Sequence, residues 1–196
     1  MVTKIEAAEK QLDTAINLFF ENLDHLSCYT LAAASREITD DLGSKKKDEL
    51  FRSELNRLGD AQKVRLYFRD ELEIRIKPEH FKEALRLFRK KQNFLKHADT
   101  DNDQGIEEIS VDELAFLLLF AVKNFSLLEK RWTPAMSTFF CWFAASKPHL
   151  MRLDENDDFS KVIIKMQKYF TDLKSEQTFS AFYRVLDLQR KGGKAP

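Results

Sequence analysis

Five polar side chains in the stretch that begins at Pro78 could act together on a phosphate group. Successive residues of an α-helix advance by about 100° around its axis. At that spacing five residues share one arc of about 80°: Lys82, Arg86, Lys90, Asn93 and His97. Arg and Lys hold phosphate oxygens through charged hydrogen bonds, and His transfers protons near neutral pH. Two interpretations follow: the stripe is either a solvated basic helix face, or a surface on which Lys82, Arg86 and Lys90 bind phosphate or RNA.

The end of this stretch resembles the HEPN motif, in which an Arg, often followed by Asn, precedes a short spacer and a His. The residues here are Arg89-Lys-Lys-Gln-Asn93-Phe-Leu-Lys-His97. HEPN domains are all-helical, and many are metal-independent ribonucleases of toxin or phage-defence systems, with Arg and His from two protomers at a dimer cleft. The resemblance implies that His97 transfers a proton, that Arg89 or Lys90 clamps a phosphate and that Asn93 orients it.

The same resemblance implies a homodimer and an RNA substrate. The motif departs from the family pattern at two points. Gln92 stands where an Arg is expected beside the Asn, and seven residues separate Arg89 from His97. The resemblance therefore also fits a member without catalytic activity. In general character the chain is also similar to uncharacterised bacterial proteins.

Motifs of other catalytic or metal-binding classes are scarce. The chain contains no GxSxG, HExxH, P-loop or GxGxxG pattern, and its four histidines are dispersed. The acidic run from Asp99 to Gly105 matches the first ligand positions of a calcium loop. However, Gln104 stands where the sharp turn needs Gly, and Ser110 where a bidentate Glu closes the site. We therefore expect a polar turn, no metal and no cofactor.

Composition excludes several broad classes of protein. The 196 residues carry 32 Lys+Arg and 32 Asp+Glu, so no net charge draws the whole chain toward nucleic acid. The longest apolar run, Leu114–Val122, is far shorter than the ~20 residues that span a bilayer. Charged residues occur from Lys4 onward, and the first residues lack the apolar stretch of a signal peptide. Cys28 and Cys141 are too few for a disulfide scaffold, so we expect core thiols in a cytoplasmic protein. From the short apolar runs we expect no membrane partner.

The elements that would position the basic stripe are helices. Gly and Pro are rare, and no Gly occurs in the 86 residues between Gly105 and Gly192. We predict an all-α single domain of about seven helices over residues 1–190, a disordered tail at 191–196 and an irregular or hairpin segment at 60–77. Local signals set helix ends: Asp24 caps a first turn, Gly43 ends a helix, and Ser110 with Glu113 forms a capping box. The predicted helices cover about 4–21, 25–42, 78–98, 113–129, 134–146, 158–173 and 175–190. Leu50, Phe51, Leu55 and Leu58 suggest a further short helix before Gly59.

The sequence favours a non-catalytic cytoplasmic binding or interaction protein that uses the basic face of the helix at 78–98. The alternative is a HEPN-like, metal-independent ribonuclease. A third class remains open, in which the aromatic residues of 139–143 line an apolar pocket for a small molecule.

Overall fold

The fold is given by a computed structural model that describes residues 1–45, 108–147, 156, 158–170 and 175–190. These residues confirm the all-α prediction, because they form helices and no strand. The described helices are α1 (Lys4–Glu21), α2 (His25–Lys45), α3 (Val111–Glu129), α4 (Pro134–Ser146), α5 (Asp158–Phe170) and α6 (Ser175–Arg190). Within the described ranges there are six helices, against about seven predicted for the whole domain. The helix predicted at 78–98, the segment at 60–77 and the tail at 191–196 lie outside the described residues.

The first two helices form an antiparallel hairpin. Asn22 ends α1 in the left-handed region at φ 52°, and Asp24 Oδ1 accepts the Ser27 backbone N–H at 3.0 Å, as its predicted capping role requires. Cys28 Sγ lies 3.2 Å from the Ala15 carbonyl oxygen, and Ser35 Oγ donates to the Ala8 carbonyl at 2.9 Å. These small side chains let the two backbones approach closely.

The predicted end of the second helix at Gly43 is wrong. The helix continues through Gly43 to Lys45, and Gly43 is buried. A glycine inside a helix costs only about 1 kcal/mol relative to alanine. Gly43 and Thr39, one turn earlier on the same face of the helix, are both buried, and the packing of this face offsets that cost.

Helix α3 runs parallel to α2. At one end His25 Nδ1 lies 2.9 Å from the Ile109 carbonyl oxygen, and further along Asn124 Nδ2 donates to Asp40 Oδ1 at 2.6 Å. Both pairs are separated by 84 residues in the sequence, so the two helices run in the same direction. With a rise of about 1.5 Å per residue, the 20 steps from His25 to Lys45 cover about 30 Å. Lys45 and Glu108 therefore lie at opposite ends of this helix pair.

Helix α3 is the centre of the core. The predicted capping box is present: the Glu113 backbone N–H donates to Ser110 Oγ at 3.2 Å, and the Ser110 N–H donates to the Glu113 carboxylate at 2.9 Å. Every residue from Leu117 to Phe125 is buried. Within the described ranges, no helix has both the length and the apolarity needed to cross a membrane.

Aromatic rings join α1, α4 and α6. Phe19 is 1% exposed, and its ring centroid lies 4.8 Å from that of Trp142 and 5.0 Å from that of Phe179. Helix α4 begins as predicted, with Thr133 as N-cap and Pro134 in the first turn. The Thr133 hydroxyl also donates to Asp13 Oδ1 at 2.6 Å, which fixes the start of α4 against the middle of α1.

Candidate functional site

The predicted site residues lie outside the residues that the structure describes. They are Lys82, Arg86, Arg89, Lys90, Asn93 and His97, and the acidic run Asp99–Gly105 is outside as well. The described chain stops on either side of them, at Lys45 and Glu108. Ser110, the residue at the closing position of a calcium loop, serves as the N-cap of α3.

A cleft opens where the end of α1, the start of α3 and one face of α6 meet. Residues 20–23 form its first wall, Val111 and Asp112 its second, and Phe179, Ser180 and Tyr183 its third. Its volume is about 630 Å³, within the range of roughly 300–1,000 Å³ typical of small-molecule sites. An apolar interior with a few polar groups at its edge can bind an organic molecule.

Hydrogen bonds of the His25 ring link the first two walls, and an ion pair ties the second wall to α4. The His25 ring bridges them, with Nδ1 2.9 Å from the Ile109 carbonyl oxygen and Nε2 3.1 Å from Asn22 Oδ1. On the other side, Lys147 Nζ at the end of α4 lies 2.6 Å from Asp112 Oδ1. The cleft is therefore anchored by contacts between residues far apart in the chain, and its shape depends on the fold rather than on one loop.

A second group of polar side chains lies between α2 and α3. Asp40 accepts from Asn124 Nδ2 at 2.6 Å and pairs with Arg36 Nε at 3.9 Å, and the neighbouring Lys123 is only 4% exposed. Burial raises the pKa of the Asp40 carboxyl above its ordinary value, although Arg36 and the Asn124 hydrogen bond act in the opposite direction. The Asp40 side chain is only partly buried, since 44% of its surface is exposed to solvent. We read the group as a polar contact that fixes the register of the two helices.

The shift at Asp40 has a definite sign for stability. A carboxyl whose pKa is higher in the folded chain than in the unfolded one stabilises the fold at low pH, and this contribution is lost as pH rises through the folded pKa. The parent should therefore lose this contribution as the pH is raised from below 3.8, the ordinary pKa of this carboxyl, whereas Asp40→Asn does not titrate there. We expect the melting temperature of Asp40→Asn minus that of the parent to increase over this pH range.

Asp24→Asn is the matched control with the opposite sign, because hydrogen bonds from Ser27 lower the pKa of the Asp24 carboxyl. Its melting temperature relative to the parent should fall as pH rises. Thermal melts of the three proteins across the acid range check both trends. A gap between Asp40→Asn and the parent that stays constant with pH would contradict the burial effect.

Burial disfavours the thiolate form of both cysteines. Burial raises the pKa of Cys28 to about 12, and burial also raises the pKa of Cys141. The Cys28 side chain is fully buried, which confirms the predicted core role, whereas Cys141 is partly exposed. Among the described residues, no group of three or more His, Cys, Asp or Glu is placed to hold a metal ion.

Comparisons with protein-family models, with curated proteins and with solved structures find no match to this chain. The cleft itself was not found from the sequence. Its walls come from three segments, around Glu21, Asp112 and Tyr183, and no local pattern connects them. The only sequence signal was indirect: Asn22-Leu23-Asp24 marks a helix end, and Ser110 marks a helix start.

Proposed function

We propose that the protein is a cytoplasmic, non-catalytic helical binding protein that contacts a phosphate-bearing partner through the basic face of the helix predicted at 78–98. The single observation that carries the proposal is the spacing of three cations, Lys82, Arg86 and Lys90, with Asn93 and His97 on the same arc of the helix. Charged hydrogen bonds from such a row suit phosphate oxygens at successive positions along a strand of RNA.

The described helices supply a frame that supports this proposal. Lys45 and Glu108 lie at opposite ends of the parallel α2–α3 pair, about 30 Å apart along the axis. A helix of 21 residues, the length predicted for 78–98, is about 31 Å long. Such a helix is close in length to α2 and α3, and Lys82, Arg86 and Lys90 would span about two of its turns.

The second candidate is a HEPN-like, metal-independent ribonuclease, and the run from Arg89 through Asn93 to His97 favours it. In that mechanism His97 would transfer a proton, and Arg89 or Lys90 would hold the phosphate. The reaction would take place in a homodimer, because each protomer contributes to the cleft. A homodimer through the face Lys82–His97 is also compatible with the non-catalytic proposal.

Incubation with labelled RNA in the presence of a metal chelator separates the two candidates. The binding proposal predicts that the parent protein retards the RNA and leaves it intact, and that His97→Ala behaves alike. Cleavage by the parent that His97→Ala abolishes would instead establish the ribonuclease. Light scattering adds an independent readout: a mass near the 23.0 kDa of one chain, at the concentration of the assay, contradicts the paired cleft.

A further inference from the structure

Two carboxylates line the cleft between α1, α3 and α6. They belong to Glu21 and Asp112, and among the described residues that line the cleft there is no Lys or Arg. Asp112 is paired with Lys147 at 2.6 Å. The Glu21 carboxylate, in contrast, makes no hydrogen bond or ion pair with any described residue. A bound cation would supply the counter-charge that Glu21 lacks.

Three aromatic residues also line the cleft, of which Phe20 is 3% exposed and Phe179 and Tyr183 are half-buried. Phe20, Phe179 and Tyr183 line it, and the centroids of Phe20 and Phe179 are 5.9 Å apart with their planes at 64°. Phe20 is also held edge-on against Trp142, with the centroids 5.9 Å apart. Packing therefore fixes these rings before a ligand arrives. The faces of aromatic rings attract cations, most strongly organic ones that shed water easily.

The size and the rim of the cleft indicate an organic cation rather than a metal ion. Hard metal ions need several oxygen ligands converging on one point, whereas this surface is mostly hydrocarbon. Leu23 on the rim is 79% exposed, and it offers apolar area that a ligand would cover. A volume of about 630 Å³ accommodates an ammonium group together with an aryl or branched alkyl substituent.

We propose that this cleft binds an organic ammonium cation. The ammonium group lies beside the Glu21 carboxylate, and its hydrocarbon part packs against Phe20, Phe179 and Tyr183. The inference is independent of the basic face at 78–98, because the two surfaces select ligands of opposite charge. Failure of one proposal leaves the other standing.

Calorimetric titration of the full chain tests the charge preference. The probe is benzyltrimethylammonium, and the controls are neutral phenylpropanol and anionic phenylpropanoate, which keep the aryl group. We expect the cation to bind at least about tenfold more tightly than the alcohol, with an affinity that falls as salt screens the carboxylate. Equal binding of cation and alcohol, or no heat with the cation, overturns the proposal.

Substitutions assign the site. Glu21→Gln should weaken binding of the cation about tenfold, since it removes the charge and keeps the shape. The control is Glu129→Gln at the end of α3 that lies away from the cleft, and it should leave the affinity unaltered.

Tyr183→Leu should weaken binding several-fold and Tyr183→Phe should not, because the ring face rather than the hydroxyl contacts the cation. Unchanged affinity in Glu21→Gln, or cation-induced amide NMR shifts absent from Val111 and Tyr183, would place the ligand elsewhere and refute the assignment.

Discussion

Phe19→Ala should lower the free energy of unfolding by about 3–5 kcal/mol, the cost of removing a large buried aromatic side chain. Phe19 is 1% exposed, and its ring meets Trp142 and Phe179, so it holds α1, α4 and α6 together. Domains of this size are stable by only about 5–15 kcal/mol. The variant should therefore unfold at a much lower urea concentration, as followed by helical circular dichroism.

The control for this prediction is Leu23→Ala, a truncation at a side chain that is 79% exposed. It should change stability by less than about 0.5 kcal/mol. If Phe19→Ala does not fold at all, Phe19→Leu, which retains much of the apolar volume, should unfold between it and the parent. A loss below about 1 kcal/mol in Phe19→Ala would show that the aromatic cluster is not the centre of the core.

Replacement of Lys82, Arg86 and Lys90 together by Gln should weaken binding of a short single-stranded RNA at least about tenfold at low salt. Each contact to a phosphate of single-stranded nucleic acid adds about 0.7 to the slope of log affinity against log salt, so three lost contacts lower that slope by about two. Fluorescence anisotropy of a labelled RNA, titrated at several salt concentrations, measures both quantities.

The matched control replaces Lys161, Lys165 and Lys168 of α5 by Gln. These three residues are exposed, and their loss changes the net charge of the chain by the same amount. We expect the control to lose little affinity. Equal losses in the two triple variants would mean that the RNA responds only to total charge, which contradicts a localised basic face.

Local helix signals in the sequence predicted much of the described fold, because each depends on residues one turn apart. Ser110 with Glu113 and Thr133 with Pro134 start helices where expected, and Asp24 caps α2. The helix end predicted at Gly43 is wrong because a local stop signal competes with the burial of one helix face, to which Thr39 and Gly43 belong. That burial depends on neighbours that the local pattern does not contain.

Contacts between distant segments could not be predicted in the same way. Asp40 meets Asn124 and His25 meets Ile109, each across 84 residues, and the parallel course of α2 and α3 follows from these two contacts rather than from any motif. The cleft at Glu21 depends on three separate helices. The basic face was visible in the sequence because a single helix suffices to align Lys82, Arg86 and Lys90. Its role stays a prediction, since it lies outside the described residues.

Thiol labelling of single-cysteine additions, with and without RNA, tests the proposed function most directly. The native Cys28 and Cys141 should contribute only a slow background at neutral pH, because burial raises the pKa of both. Arg86→Cys and Lys90→Cys should react quickly in the free protein and become protected by RNA. Ala84→Cys and Leu85→Cys, on the opposite face, should react slowly in both states. Fast labelling at 84 and 85, or no protection at 86 and 90 when RNA is bound, would contradict the account.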